Sequence, residues 1–174
     1  MPREIGLPLA TPSILAMLEV PPRKSKTRRI PSNRLPNVGD IVWVREGLKC
    51  FAHTPRAFYV ADEKGVKDKD GWGHDWHWKN WVLPSIFMPK SCARIWLRVT
   101  DKRLEPLQAI THEDILAEGY VPLTTVKSVL SMLAARNWFY NLWNSLAKPG
   151  KRWEDNPEVA VIGFEILSTE GRPE

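Results

Sequence analysis

The sequence predicts an α+β fold built on a mainly antiparallel sheet or small barrel, and three observations carry that prediction. Short runs of alternating apolar residues recur along the chain, RIWLRVT at 94–100 being the clearest. Helical periodicity is confined to three stretches, one near the start, one before Gly119 and one before Pro149-Gly150. Strands and helices do not alternate regularly, so a parallel sheet with crossover helices is not indicated.

Taken in order, Thr11-Pro12 offers a cap followed by a proline at the first helical position, and Ile14, Leu15 and Leu18 form one apolar face. Pro21-Pro22 stops that helix. The stretch PRKSKTRRIPSNRLP is bracketed by prolines and predicts an irregular loop. Asn37-Val38-Gly39-Asp40 is turn chemistry that launches a strand at 41–46, and residues 57–61 read as a second strand. Residues 62–79 read as a loop with an aromatic cluster, GWGHDWHW. After the strand at 94–100, residues 103–107 are placed to pair with it. Thr111 caps a short helix, with Asp114 three residues on and Gly119 as its stop. From 124 to 146, Val126, Val129, Leu130, Leu133, Phe139, Leu142, Trp143 and Leu146 recur at helical spacing, as one long amphipathic helix or two abutting ones. Residues 159–167 form a last strand.

At 174 residues, 43% hydrophobic and 26% charged, the chain can bury a sizeable core, and 1–174 reads as one domain with 1–10 and 168–174 as flexible tails. No apolar run reaches the ~18–20 residues of a membrane-spanning helix, so no membrane partner is expected. Cys50 and Cys92 form no CxxC, and MPREIGLPLATP lacks the build of a secretory signal. A cytoplasmic location is expected on both counts. The formal charge of +5 sits entirely in residues 1–36, where Arg3, Arg23, Lys24, Lys26, Arg28, Arg29 and Arg34 face only Glu4 and Glu19. Nine tryptophans are the other anomaly.

Three constellations can carry chemistry. In Lys24-Ser25-Lys26-Thr27-Arg28-Arg29, like charges and partial burial would lower a lysine's pKa, and such a lysine can serve as base to the hydroxyl of Thr27 or Ser25. The same cluster can hold phosphates through its arginines, or be a solvated basic loop. His74 and His77, with Asp75 and His53, offer a metal set, but no further ligand stands at a usual spacing, and neither metal nor cofactor is expected. Trp72, Trp76, Trp78 and Trp81 can stack on bases or cover the open end of a small barrel. Glu118 is by its spacing a surface glutamate.

Several separated motifs together resemble phage-encoded ASCH-domain proteins of the PUA-like superfamily. KSKTRR at 24–29 resembles the K-T-x-T-R-R signature, and GDIVWVRE at 39–46 the G-D-x-L-W-V-R-E strand. WVLPSIFMP at 81–89 with Ala93-Arg94-Ile95 resembles a W-x-P-S-I-x-M-P block, and LQAITHEDILAEG at 107–119 an L-x-x-I-x-x-x-D-A-x-x-E-G helix. FYNLW at 139–143 and WEDNP at 153–157 complete a collinear order. The chain departs from the pattern at Ser25, Phe87, Glu158 and Ala160.

The resemblance implies a PUA-like fold, a small, mostly antiparallel β-barrel with flanking helices. It also implies an amidohydrolase that deacetylates N4-acetylcytidine through a lysine, a threonine and a glutamate, which fall on Lys24, Thr27 and Glu118. Ser25, Lys26, Arg28, Arg29, Trp43, Arg45, Glu46 and Trp81 are then candidates for substrate or nucleic-acid contact. The expected partner is a modified nucleoside or RNA, met in a host cytoplasm if the protein is phage encoded. The rival reading is a non-catalytic module that binds RNA or a modified base through the same basic segment. A phage assembly or host-interaction role rests on the helix at 124–146 alone.

Overall fold

A computed structural model of the chain describes residues 2–67, 73–122 and 128–173. The expected α+β class is what the chain adopts. Among the described residues, eight strands lie in two sheets, accompanied by three α-helices. The strands are β1 (Glu4–Pro8), β2 (Lys26–Arg29), β3 (Ile41–Arg45), β4 (Leu48–Phe51), β5 (Thr54–Tyr59), β6 (Val82–Leu83), β7 (Trp96–Pro106) and β8 (Glu158–Ser168). The helices are α1 (Thr11–Leu18), α2 (His112–Ala117) and α3 (Val129–Leu146). The larger sheet has the order β1-β3-β7-β8-β2 and the smaller β5-β4-β6. All pairings are antiparallel except β1 with β3. The recorded pairings leave the larger sheet open between β1 and β2. Even so, Arg29 Nη2 on β2 donates to the Pro8 carbonyl at the end of β1 (2.7 Å), so the sheet curves far enough for an arginine to span its two edges.

The strand β8 explains much of this arrangement. Its residues alternate between two cores, as side chains on successive strand positions must. Ala160, Ile162 and Phe164 join Leu7, Leu9, Ile14, Met17, Val42, Val44, Leu97 and Val99 beneath α1. Val159 and Val161 face the other way, into a core with Ile110, Ile115, Ala135 and Phe139 from the α2–α3 side. A strand buried on both faces reads as the near-continuous apolar run VAVIGF. A third core, around Trp43, Leu48, Tyr59, Met88 and Trp96, underlies the smaller sheet. Trp76 and Trp78 pack on it, which is the covering role among the two the sequence left open for them.

Several elements differ from the sequence expectation. Residues 4–8, expected in a flexible tail, form β1, because Ile5 and Leu7 alternate inward and Arg3 anchors to Asp40 (2.6 Å). At the other end, Gly171 N donates to the Arg94 carbonyl and Arg172 pairs with Glu4. The two runs at 94–100 and 103–107 are one eleven-residue strand, bulged between Val99 and Asp101. Thr11 is the first residue of α1 rather than its cap, which is Ala10. The basic segment, expected as loop, enters the sheet as β2 from Lys26, paired to β8 in the register Thr27 to Ile162. In α3, Ser128 and Ser131 form a reciprocal cap. Trp72 and residues 124–127 lie outside the described residues. No described helix is long and apolar enough to cross a membrane.

The end of α2 fixes the approach of α1 and the basic segment. Gly119 has φ +105°, and a Cβ there would stand 2.9 Å from the Ala16 Cβ and 3.7 Å from the Lys24 Cβ. Both the left-handed conformation and the close approach exclude a side chain. Gly119→Ala is therefore expected to cost about 2 kcal/mol of stability, read as a lowered urea midpoint at unchanged m value.

Candidate active site

The site is assembled where the start of the basic segment crosses the end of α2. Lys24 N donates to the Ala16 carbonyl (3.4 Å) and Ser25 N to the Ala117 carbonyl (2.9 Å), so the backbone ties this segment to both helices. Lys24 is only 1% exposed, yet it carries an ammonium. Its Nζ donates to Glu118 Oε2 at 2.7 Å and to the Glu118 carbonyl at 3.0 Å. Glu118, 5% exposed, caps the C-terminus of α2, where a cation also meets the negative end of the peptide dipoles. Burial drives the Lys24 pKa below its ordinary value. The Glu118 carboxylate opposes that shift, and the neighbouring charges of Arg29 and Arg28 add to it.

A second carboxylate, Asp114, stands one turn earlier on α2, with its N–H capped by Thr111 (3.1 Å). It accepts from Lys26 Nζ (2.7 Å), Arg28 Nη2 (2.8 Å) and Arg103 Nη2 (3.3 Å). Lys26 and Arg28 are two apart on β2 and so reach the same side. Arg28 also donates to Glu105 (2.8 Å) and to Glu118 Oε1 (3.3 Å). Burial would raise the Asp114 carboxyl, but the Lys26 hydrogen bond and the charges of Arg28, Lys26 and Arg103 outweigh it and hold the pKa down at about 2. Four cations and three carboxylates are thus interlocked. The alternative of a freely solvated basic loop does not describe Lys24, Lys26 or Arg28.

A cavity of about 600 Å³ opens beside this network. Thr27 and Glu118 line it together with Arg28 and Arg29, and Phe139, Leu142 and Trp143 of α3 give it an apolar wall. Thr27 is 3% exposed, and among the described residues its hydroxyl makes no hydrogen bond. The cavity thus combines an apolar wall with several polar and charged groups, as small-molecule sites do. Of the residues singled out in the sequence, Thr27, Arg28, Arg29 and Glu118 line this cavity, whereas Lys24 stands behind Glu118 and Lys26 joins the network through Asp114. Ser25 is next in the chain but exposed.

The remaining candidates lie elsewhere. Trp43 is buried in the core of the smaller sheet, with the Arg45 guanidinium over its ring at 4.6 Å. Arg45 Nη1 donates to the Ile86 carbonyl (2.8 Å). Glu46 is fully buried, and both its oxygens are taken by Arg94 (3.0 and 2.7 Å). Trp81, 62% exposed, stands beside β6. None of these four lines the cavity: Trp43 faces the core of the smaller sheet, Arg45 and Glu46 are engaged beside it, and Trp81 is exposed. Ring nitrogens of His74 and His77 meet at 3.2 Å next to Trp78, and among the described residues no group of three or more potential ligands could hold a metal. A larger cavity of about 1120 Å³ lies by Tyr59, Arg94 and Trp96, where Arg94 is spent on Glu46 and Asp62, and Lys90 and Arg172 on Glu4.

Sequence reasoning missed Glu105 and Arg103, and read Asp114 only as a capping residue. It took Phe139 and Trp143 as core, which Phe139 also is. The hidden signal was the charge balance itself, since five bases within seven residues of a folded chain demand carboxylates from elsewhere.

No family model matches the chain, and no curated protein does. Among solved structures, a DUF984-family protein of Enterococcus faecalis V583 superposes with TM-score 0.50 at 11% identity, covering 100% of this chain and 86% of that one. It shares the fold. An ASCH domain from Lactobacillus crispatus JV V101 aligns at TM-score 0.45 and 11% identity, over 95% of this chain and 80% of its own.

Asp114→Asn would leave Lys26, Arg28 and Arg103 short of a buried counter-charge. A loss of about 3–5 kcal/mol is expected by denaturant titration at neutral pH. Because the folded pKa of Asp114 lies below its ordinary 3.8, its contribution is complete above that value. It is lost as pH falls from there toward about 2, so the wild type should weaken over that window more steeply than the variant.

Proposed function

We propose that this chain is an ASCH-type amidohydrolase that removes an acyl group from the exocyclic amine of a modified pyrimidine nucleoside or nucleotide, N4-acetylcytidine being the model substrate. One observation carries the reading: a buried lysine with a lowered pKa, held 2.7 Å from a glutamate that shares a cavity with an unengaged threonine hydroxyl. The motifs at 24–29 and 107–119 that resemble the family supply the same three residues.

The chemistry follows from their properties. In its neutral form Lys24 accepts the Thr27 proton as Oγ1 forms a bond to the acyl carbon. Arg29, on the cavity wall and in no ion pair among the described residues, favours the developing oxyanion. Collapse of the tetrahedral adduct breaks the carbon–nitrogen bond, and the leaving amine takes a proton relayed through Lys24 and Glu118. Water then attacks the threonyl ester, its proton passes to the same pair, and the carboxylate product leaves with Thr27 restored. Phe139, Leu142 and Trp143 give the ring an apolar surface.

The rival, a module that binds phosphates through the whole basic segment, is disfavoured by the pairing of Lys24, Lys26 and Arg28 with carboxylates. Purified protein incubated with N4-acetylcytidine should release cytidine and acetate. Thr27→Ala and Lys24→Ala should each lower kcat/KM by at least about a hundredfold. The wild-type rate should rise with pH to a plateau, with its midpoint below the ordinary lysine value. No turnover by the wild type, or turnover undiminished in both variants, contradicts the reading.

A further inference from the structure

The charges around the cavity divide into two groups. Deep in it, the cations are neutralised: Lys24 by Glu118, and Arg28 by Glu105, Asp114 and Glu118. Three other cations line the same cavity and form no ion pair among the described residues: Arg29, Lys148 and Lys151. Arg29 spends one N–H on the Pro8 carbonyl and faces the cavity from β2. Lys148 and Lys151 are exposed and belong to the turn that follows α3. That turn is fixed: Lys151 N donates to the Lys148 carbonyl (3.0 Å), the Trp143 indole donates to the Lys151 carbonyl (2.8 Å), and Gly150 takes φ +76°. A helix C-terminus favours lysines on its own account. It gives no reason for an unpaired arginine on a different strand to line the same space.

The cavity therefore has a neutralised, buried end carrying Thr27 and Glu118, an aromatic wall, and exposed lysines, Lys148 and Lys151, with Arg29 also on its lining and within the electrostatic influence of Glu118. Resting on the reading of this cavity as a nucleoside site, we infer that it takes its substrate as a phosphate ester, with the base against Trp143 and Phe139 and the phosphate held by Lys148, Lys151 and the free N–H groups of Arg29. A dianionic or diester phosphate complements that charge, whereas a free nucleoside gives these cations no counter-ion. The phosphate can belong to a mononucleotide or to a polynucleotide, since both present the same oxygens.

The test is calorimetric titration of the intact protein with cytidine, cytidine 5′-monophosphate and a short cytidine-containing RNA, at low and at raised salt. The phosphorylated ligands should bind at least roughly tenfold more tightly than cytidine, and raised salt should erode that advantage. In the Lys148→Ala/Lys151→Ala double variant the advantage should fall to about twofold or less. RNA binding tighter than the mononucleotide would assign the phosphate to a polymer, and the reverse to a free nucleotide, each in agreement with the inference. Equal affinity for cytidine and its monophosphate, an advantage that survives the double substitution, or no binding of either overturns it. Because the titration needs no turnover, a protein that cleaves N4-acetylcytidine without preferring phosphate refutes this inference alone. One that prefers phosphate but cleaves nothing refutes only the hydrolase.

Discussion

A lysine with 1% of its surface exposed lies 2.7 Å from a glutamate carboxylate, and much of the surrounding architecture keeps that pair dry and in register. Burying two charges costs several kcal/mol per ion, and their attraction offsets this only when the remaining polar valences are filled. Here they are. Lys24 has the Glu118 carbonyl as a second acceptor, and Glu118 has Arg28 as a second donor. The backbone on each side is pinned in turn, by Ala16 of α1 and Ala117 of α2, with Gly119 allowing the helices to close to contact. Such an arrangement is expensive as a mere stabilising device, since apolar residues of similar volume would often do as well. In the proposed hydrolase its value would lie in a lysine held below its ordinary pKa by burial.

The same pair reinterprets the charge asymmetry of the chain. All of the +5 lies in residues 1–36, which by itself describes a nucleic-acid patch. In the folded chain Arg3 pairs with Asp40, Arg23 with Glu19, and Lys24, Lys26 and Arg28 with carboxylates of β7 and α2. The positive charge left without a counter-ion at the cavity comes from Arg29 and from two lysines more than a hundred residues later, Lys148 and Lys151. Net charge by segment thus points to Arg29 but not to the two lysines that share its cavity.

What was legible in the sequence was what local physics controls. Thr111 and Gly119 bracket α2 because a hydroxyl cap and a left-handed glycine are short-range devices. RIWLRVT announces β7 because alternation is a property of neighbours. The site was legible only through motif resemblance, since Lys24 and Glu118 are 94 positions apart and no spacing rule joins them. The same distance explains the misreading of 26–29 as loop. Four polar residues in a row look solvated until Asp114 and Glu105, 77 to 88 positions away, pair with Lys26 and Arg28. Trp43, Arg45 and Glu46 sit away from this cavity: Trp43 packs in the core under the smaller sheet, the Arg45 guanidinium lies over its ring, and Glu46 is bound by Arg94.

Titration of the Lys24 ε-ammonium by NMR, with the resonance assigned through Lys24→Arg, addresses the central claim most directly. Burial and the neighbouring guanidinium charges, outweighing the opposing Glu118 carboxylate, predict a midpoint below that of the exposed lysines, moving upward when Arg29 is replaced by Gln. A midpoint at or above the exposed lysines would make the Lys24–Glu118 contact an ordinary structural ion pair and would contradict the account.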